Sequence, residues 1–176
     1  MKRIQGLSLI EVLVGLAIVF LLFAVAIPAL GAVADRARIV RVQADLGEAF
    51  MTAARQAVAG GRATVLCASS DGVRCSGGTD WSTGWLSFAD VDGDRQFSAF
   101  DTLIRRTPPW SGLRLSSTQG RPRIVFQPEG DSAGTNATFT ICAPRSGMAG
   151  SLVLSNGGRF RLVPTHTDRQ TLCASN

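Results

Sequence analysis

The chain has 176 residues, 45% hydrophobic and 18% charged, enough for one domain with a real core and too apolar for wholesale disorder. Its formal charge of +5 is laid out unevenly: residues 1–61 carry six bases and four acids (+2), residues 62–101 three and six (−3), residues 102–176 nine and three (+6). Lys2 is the only lysine and His166 the only histidine, which excludes a multi-histidine metal site and leaves little room for histidine-based catalysis.

The N-terminus opens with a short basic leader, residues 1–6. From Leu7 to Ala34 follow 28 residues with one charge, Glu11. A run of that length predicts a membrane span. A secretory signal peptide shares the basic start, but this run is too long for one. Lys2 and Arg3 favour an N-in, C-out orientation. A carboxylate deep in a span costs roughly 2.5–3.5 kcal/mol, so Glu11 needs a partner.

The stretch Gly6-Leu7-Ser8-Leu9-Ile10-Glu11 resembles the class III signal of type IV pilins and type II secretion pseudopilins. The resemblance implies that a prepilin peptidase cuts between Gly6 and Leu7 and that Leu7 becomes the N-methylated first residue. Leu7 stands where Phe is commoner. The resemblance also implies that Glu11 pairs with the N-terminal amine of a neighbouring pilin during assembly. An amine and a carboxylate can neutralise each other in lipid when neither is tolerated alone.

The helix is expected to outrun the membrane. Pro28 should kink it. Beyond it Ile39, Val42, Leu46, Ala49, Phe50, Ala53 and Ala57 recur at three- and four-residue steps, the stripe of an amphipathic helix. Gly60-Gly61 ends it. This gives a leader at 1–6, a transmembrane and assembly helix at 7–34, an amphipathic helix at 35–61 and a β-rich head at 62–176. Strands are predicted at 63–68, 85–89, 102–105, 113–116, 123–127, 137–142, 151–155 and 159–163. Asn156-Gly157 marks a hairpin between the last two. A helix followed by antiparallel strands is an α+β arrangement, with one sheet face covering the helix stripe.

Cys67, Cys75, Cys142 and Cys173 form no Cys-x-x-Cys, so neither a thioredoxin motif nor a zinc knuckle is supported. All four fall on the exported side, where disulfides form. Three connectivities are open. The favoured one joins Cys67 to Cys75, closing a small loop, and Cys142 to Cys173, pinning the C-terminus to a strand.

Asp90, Asp92, Asp94 and Asp101 stand at offsets 1, 3, 5 and 12, an echo of a calcium loop. Gly93 comes early, Arg95 occupies the invariant-glycine position and the last ligand is Asp rather than Glu. The preferred reading is an Asp/Gly-rich turn. No nucleophile elbow and no phosphate loop occurs, so neither an enzyme nor a cofactor is expected.

The arginines say more. In Gly158-Arg159-Phe160-Arg161-Leu162 a strand would point Arg159 and Arg161 to one face and Phe160 and Leu162 to the other. Arginine suits phosphate because it binds as a bidentate fork. The head as a whole resembles the GspH/FimT group of minor pilins and pseudopilins. The residues that carry this are Leu66–Ser69 with Cys75, Asp80–Trp85 leading into Phe88, and Asp90–Asp94. Leu103–Arg105, Ile141-Cys142 and Gly158–Arg161 complete it. The FimT branch carries a Gly-Arg-x-Arg motif implicated in DNA binding during natural transformation, matched here by Gly158, Arg159 and Arg161.

The resemblance implies a type IV pilin-like fold and a FimT-type minor pilin that binds double-stranded DNA non-specifically. Arg145, Arg169 and Arg121 or Arg123 would help. Its partners would be other pilins, the prepilin peptidase, the bacterial inner membrane before assembly, and DNA. Its head would face the periplasm before it joins a pilus or pseudopilus. The competing expectation is a structural subunit that primes assembly, or a GspH-like type II secretion pseudopilin, with no DNA bound.

Overall fold

The computed structural model describes residues 9–132, 136–167 and 173. Gly6, Leu7 and Arg169 therefore lie outside the described residues. Helix α1 (Leu9–Gly60) has 52 residues and is not divided at Pro28. At 1.5 Å per residue it is about 78 Å long. Its first half is long and apolar enough to cross a membrane, and its large apolar side chains from Leu9 to Val33 are exposed.

In the second half the predicted stripe is the buried face: Ile39, Val42, Leu46, Ala49, Phe50, Ala53 and Ala57 are all at most 2% exposed. The helix stops where expected. Gly61 adopts φ +62°, which glycine takes without a Cβ clash, and Arg62 N–H bonds back to the Ala57 carbonyl at 3.3 Å.

Eight strands follow: β1 (Thr64–Ala68), β2 (Trp85–Ala89), β3 (Thr102–Thr107), β4 (Arg114–Ser117), β5 (Arg123–Phe126), β6 (Ala137–Ala143), β7 (Met148–Leu154) and β8 (Phe160–Thr167). They form two antiparallel sheets, β3-β2-β1-β5 and β4-β6-β7-β8. Strands β4 and β5 thus cross over, each joining the sheet made mainly by the other's neighbours in sequence.

Both sheets bury one face against α1. Leu66, Ile124 and Phe126 from the first sheet meet Leu115, Phe139, Ile141 and Leu152 from the second in one core, with Trp81 beside Phe139 at 5.0 Å. The first sheet is apolar on its other face too, where Val65, Leu86, Phe88 and Val125 are covered by Cys75 and Phe97. The second sheet alternates. In β6, Ala137, Phe139 and Ile141 face the core while Thr138 and Thr140 are half-buried on the outside. Disulfides join Cys67 to Cys75 and Cys142 to Cys173.

The acidic segment builds β1, β2 and their loops, all in the first sheet. The arginine-rich segment supplies all four strands of the second sheet, and also β3 and β5 of the first.

A candidate anion-binding hairpin

Strands β7 and β8 form a hairpin closed by the turn Ser155–Arg159. Ser155 N–H bonds to the Arg159 carbonyl at 2.8 Å, and Gly158 N–H bonds to the Ser155 carbonyl at 3.0 Å. The left-handed position is taken by Gly158, at φ +73°, and not by Gly157. The loop is therefore three residues between the closing pair, a turn followed by one left-handed residue.

Three contacts fix this hairpin from outside. In its middle, Gln43 Nε2 on α1 donates to the carbonyls of Ser151 (2.9 Å) and Val163 (2.8 Å), beside the register shift between Ala149 and Ser151. Next to the turn, Phe160, the first residue of β8, packs on the core side. At its tip, the loop Gln127–Ser132 clasps the turn. Ser132 N–H donates to the Asn156 carbonyl at 3.0 Å, and the Ser132 hydroxyl donates to the Ser155 carbonyl at 2.8 Å.

The clasp explains Gly158. A Cβ at this position would sit 2.4 Å from the Gly130 carbonyl oxygen and 3.5 Å from Asp131 Cα. The backbone that approaches Gly158 is the protein's own, so its place in the motif has a packing cause.

Arg159 and Arg161 are exposed and make no ion pair among the described residues, unlike Arg38, Arg74 and Arg105. With Val153 and Ser155 they line an open depression of about 350 Å³. The expected alternation holds for Phe160, but Leu162 remains 51% exposed at the border strand instead of being covered.

The other arginines named from the sequence do not gather here. Arg145 is exposed in the β6–β7 turn, at the opposite end of the hairpin. The seven residues of β7 separate the two ends by roughly 20 Å. Arg123 is half-buried and donates to the Arg95 carbonyl at 2.8 Å. Arg121 is half-buried. Arg105 is committed to α1, pairing with Asp45 and with Glu48 at 3.3 Å.

The acidic loop after β2 braces itself. Oxygens of Asp90, Asp92 and Asp94 lie within 4.8 Å of one another, without Asp101 among them. Asp90 accepts from Gly93 (3.0 Å) and Arg95 (3.3 Å), and Asp94 from Gln96 (2.6 Å). Asp101 closes the loop by accepting from Val91 (2.9 Å) and Ser98 (2.8 Å). Burial pushes the Asp90 carboxyl above its ordinary range, against the pull of those two amides. Arg95 takes φ +60°, the conformation a glycine would supply at that position. This is a turn held by its own carboxylates.

Sequence reasoning missed Gln43 and Ser132. Both are buried polar residues, 3% and 0% exposed. Gln43 adjoins Val42 in the apolar stripe, so its only sequence signal is a polar residue on a core-facing arc. Ser132 lies in a stretch that reads simply as a loop.

The family model for type II transport protein GspH matches residues 43–158. The match ends at Gly158, so Arg159 and Arg161 stand just past it. Two crystal forms of the type IV minor pilin FimU of Pseudomonas aeruginosa are similar in structure. One has TM-score 0.55 and 21% identity over 72% of this chain and 96% of that chain. The other has TM-score 0.58 and 20% identity over 76% and 96%. The minor pseudopilin EpsH of the Vibrio cholerae type 2 secretion system has TM-score 0.52 and 14% identity over 72% and 97%. No curated protein matches the sequence significantly.

Proposed function

The chain belongs to the GspH family and has the architecture of a type IV minor pilin or pseudopilin; on that premise, we propose that it is a FimT-type minor pilin binding double-stranded DNA non-specifically for natural transformation. The observation that carries this reading is the exposed pair Arg159 and Arg161. They flank a core-anchored Phe160 on a hairpin held at its middle and tip, and no carboxylate pairs with them among the described residues. Two guanidiniums so placed can each take a phosphate oxygen as a charge-assisted fork without first breaking an internal pair. Hydrogen bonds to phosphate position a protein but read no base sequence, so binding is non-specific and falls with salt.

In this reading the prepilin is cut between Gly6 and Leu7 by a prepilin peptidase. Its first helix half anchors it in the inner membrane with the head outside, and Glu11 later pairs with a neighbouring pilin's N-terminal amine. Gly158 shapes the hairpin, and Arg145 and Arg169 are secondary contacts.

A mobility-shift assay on the detergent-solubilised chain tests the DNA reading. Wild type should retard a duplex at low salt, and the Arg159→Gln/Arg161→Gln protein should not. Equal retardation by both would show that the Arg159/Arg161 site is wrong; no retardation by wild type leaves the competing reading, a pseudopilin whose head meets only other subunits. The description of the matching family as a type II transport protein favours that competitor.

A further inference from the structure

The outward face of the second sheet is basic well beyond the hairpin tip. Strands β4, β6, β7 and β8, with the turns 144–147 and 155–159, contain four arginines (Arg114, Arg145, Arg159 and Arg161) and no Asp or Glu. Arg114 begins β4. Its neighbour Leu115 is 1% exposed in the core, so by strand alternation Arg114 projects to the other face, and it is exposed.

The register puts Arg114 and Arg161 on the same face. Arg114 lies opposite Cys142 on β6, Thr138 four residues back lies opposite Val153 on β7, and Val153 lies opposite Arg161 on β8. Three interstrand steps of about 4.8 Å and four residues of about 3.3 Å place the two Cα atoms about 20 Å apart. Between them lie the short, half-buried side chains of Ser116, Thr138 and Thr140, while Ala149, Ser151 and Cys142 on the same face are buried. Among the described residues, two acids sit at the borders of this face: Asp80 bridges to Ser116 along the outer edge of β4, and Asp131 lies against Gly158.

We propose that a DNA duplex lies diagonally across this face, from Arg159 and Arg161 to Arg114, and that Arg114 is a phosphate contact in its own right. This rests on the DNA-binding reading above and extends it to a track. At 3.4 Å of duplex axis per phosphate along one strand, a 20 Å track covers about six base pairs. Arg145, in the turn just past the Cys142 end of β6, borders the far end. The disulfide from Cys142 to Cys173 borders it as well.

The test is the salt dependence of duplex affinity for the detergent-solubilised full chain. It compares wild type, Arg114→Gln, Arg114→Lys and Arg159→Gln/Arg161→Gln, with Arg55→Gln on the exposed side of α1 as control. Arg114→Gln should make the log–log slope shallower by about 0.9, so it loses about 3.5-fold less affinity than wild type between 50 and 200 mM salt. Arg114→Lys should keep the wild-type slope, and Arg55→Gln should change nothing. A wild-type slope for Arg114→Gln, in a series where the hairpin double variant loses its slope, overturns the track and leaves the hairpin reading standing. Absence of wild-type binding overturns both.

Discussion

Phe160 meets the ring of Phe50 nearly edge-on, with centroids 6.0 Å apart and planes at 77°. This contact ties the candidate hairpin to α1. It also decides where the arginines go, because side chains alternate along a strand and Phe160 facing the helix sends Arg159 and Arg161 outward. Gly47 makes room for the ring: a Cβ there would stand 3.0 Å from Phe160 Cε2. Replacing Phe160 by Ala should cost about 2–4 kcal/mol of stability, as partial loss of an aromatic from a core. Chemical denaturation measures it. Phe160→Leu should recover most of the loss.

Gly158→Ala separates packing from ligand contact. The left-handed φ and the approach of the Gly130 carbonyl both oppose a Cβ. The expected cost is about 2–4 kcal/mol. Gly157→Ala, with open space around its Cβ, should cost well under half of that. Equal melting temperatures for the two variants would contradict the clasp as described.

Much of this architecture is legible in the residues. The seven apolar positions from Ile39 to Ala57 match the buried face of α1, and each of the eight predicted strands overlaps an observed one. Local periodicity and glycine punctuation carry that information. The exchange of β4 and β5 between sheets is not legible, because strand partners are chosen by tertiary packing and not by local pattern. The same limit explains the site. The Gly158–Arg161 motif stands out, yet Gly130, whose carbonyl makes Gly158 necessary, is 28 positions away. Only the fold shows that Arg105 and Arg123 are spoken for while Arg114 shares a face with Arg161.

The two disulfides should contribute unequally. Cys67–Cys75 spans 8 residues and Cys142–Cys173 spans 31. Chain-entropy scaling gives about 2–3 kcal/mol for the first and about 3–4 for the second. Replacing each pair by Ser and comparing urea midpoints should rank them in that order.

Asp71 should make the small disulfide loop acid-sensitive. Its carboxylate accepts N–H bonds from Val73 (2.8 Å) and Arg74 (3.0 Å), which hold its pKa at about 2 against an ordinary 3.8. A depressed carboxylate stabilises the fold fully above its unfolded pKa and loses that contribution as pH falls through the folded one. Hydrogen-exchange protection of the Val73 and Arg74 amides should therefore hold at pH 5 and fall between about pH 4 and pH 2. Asp71→Asn should flatten that dependence.

The central claim is that Arg159 and Arg161 touch DNA phosphates. The most direct measurement is an NMR titration of the protein, its arginine side chains labelled with nitrogen-15, with a short duplex at low salt. The account predicts that the Nε–Hε signals of Arg159 and Arg161 shift and broaden with added duplex and return on adding salt, while that of Arg105, paired to Asp45, stays in place. Signals of Arg159 and Arg161 that remain fixed at saturating duplex would contradict it.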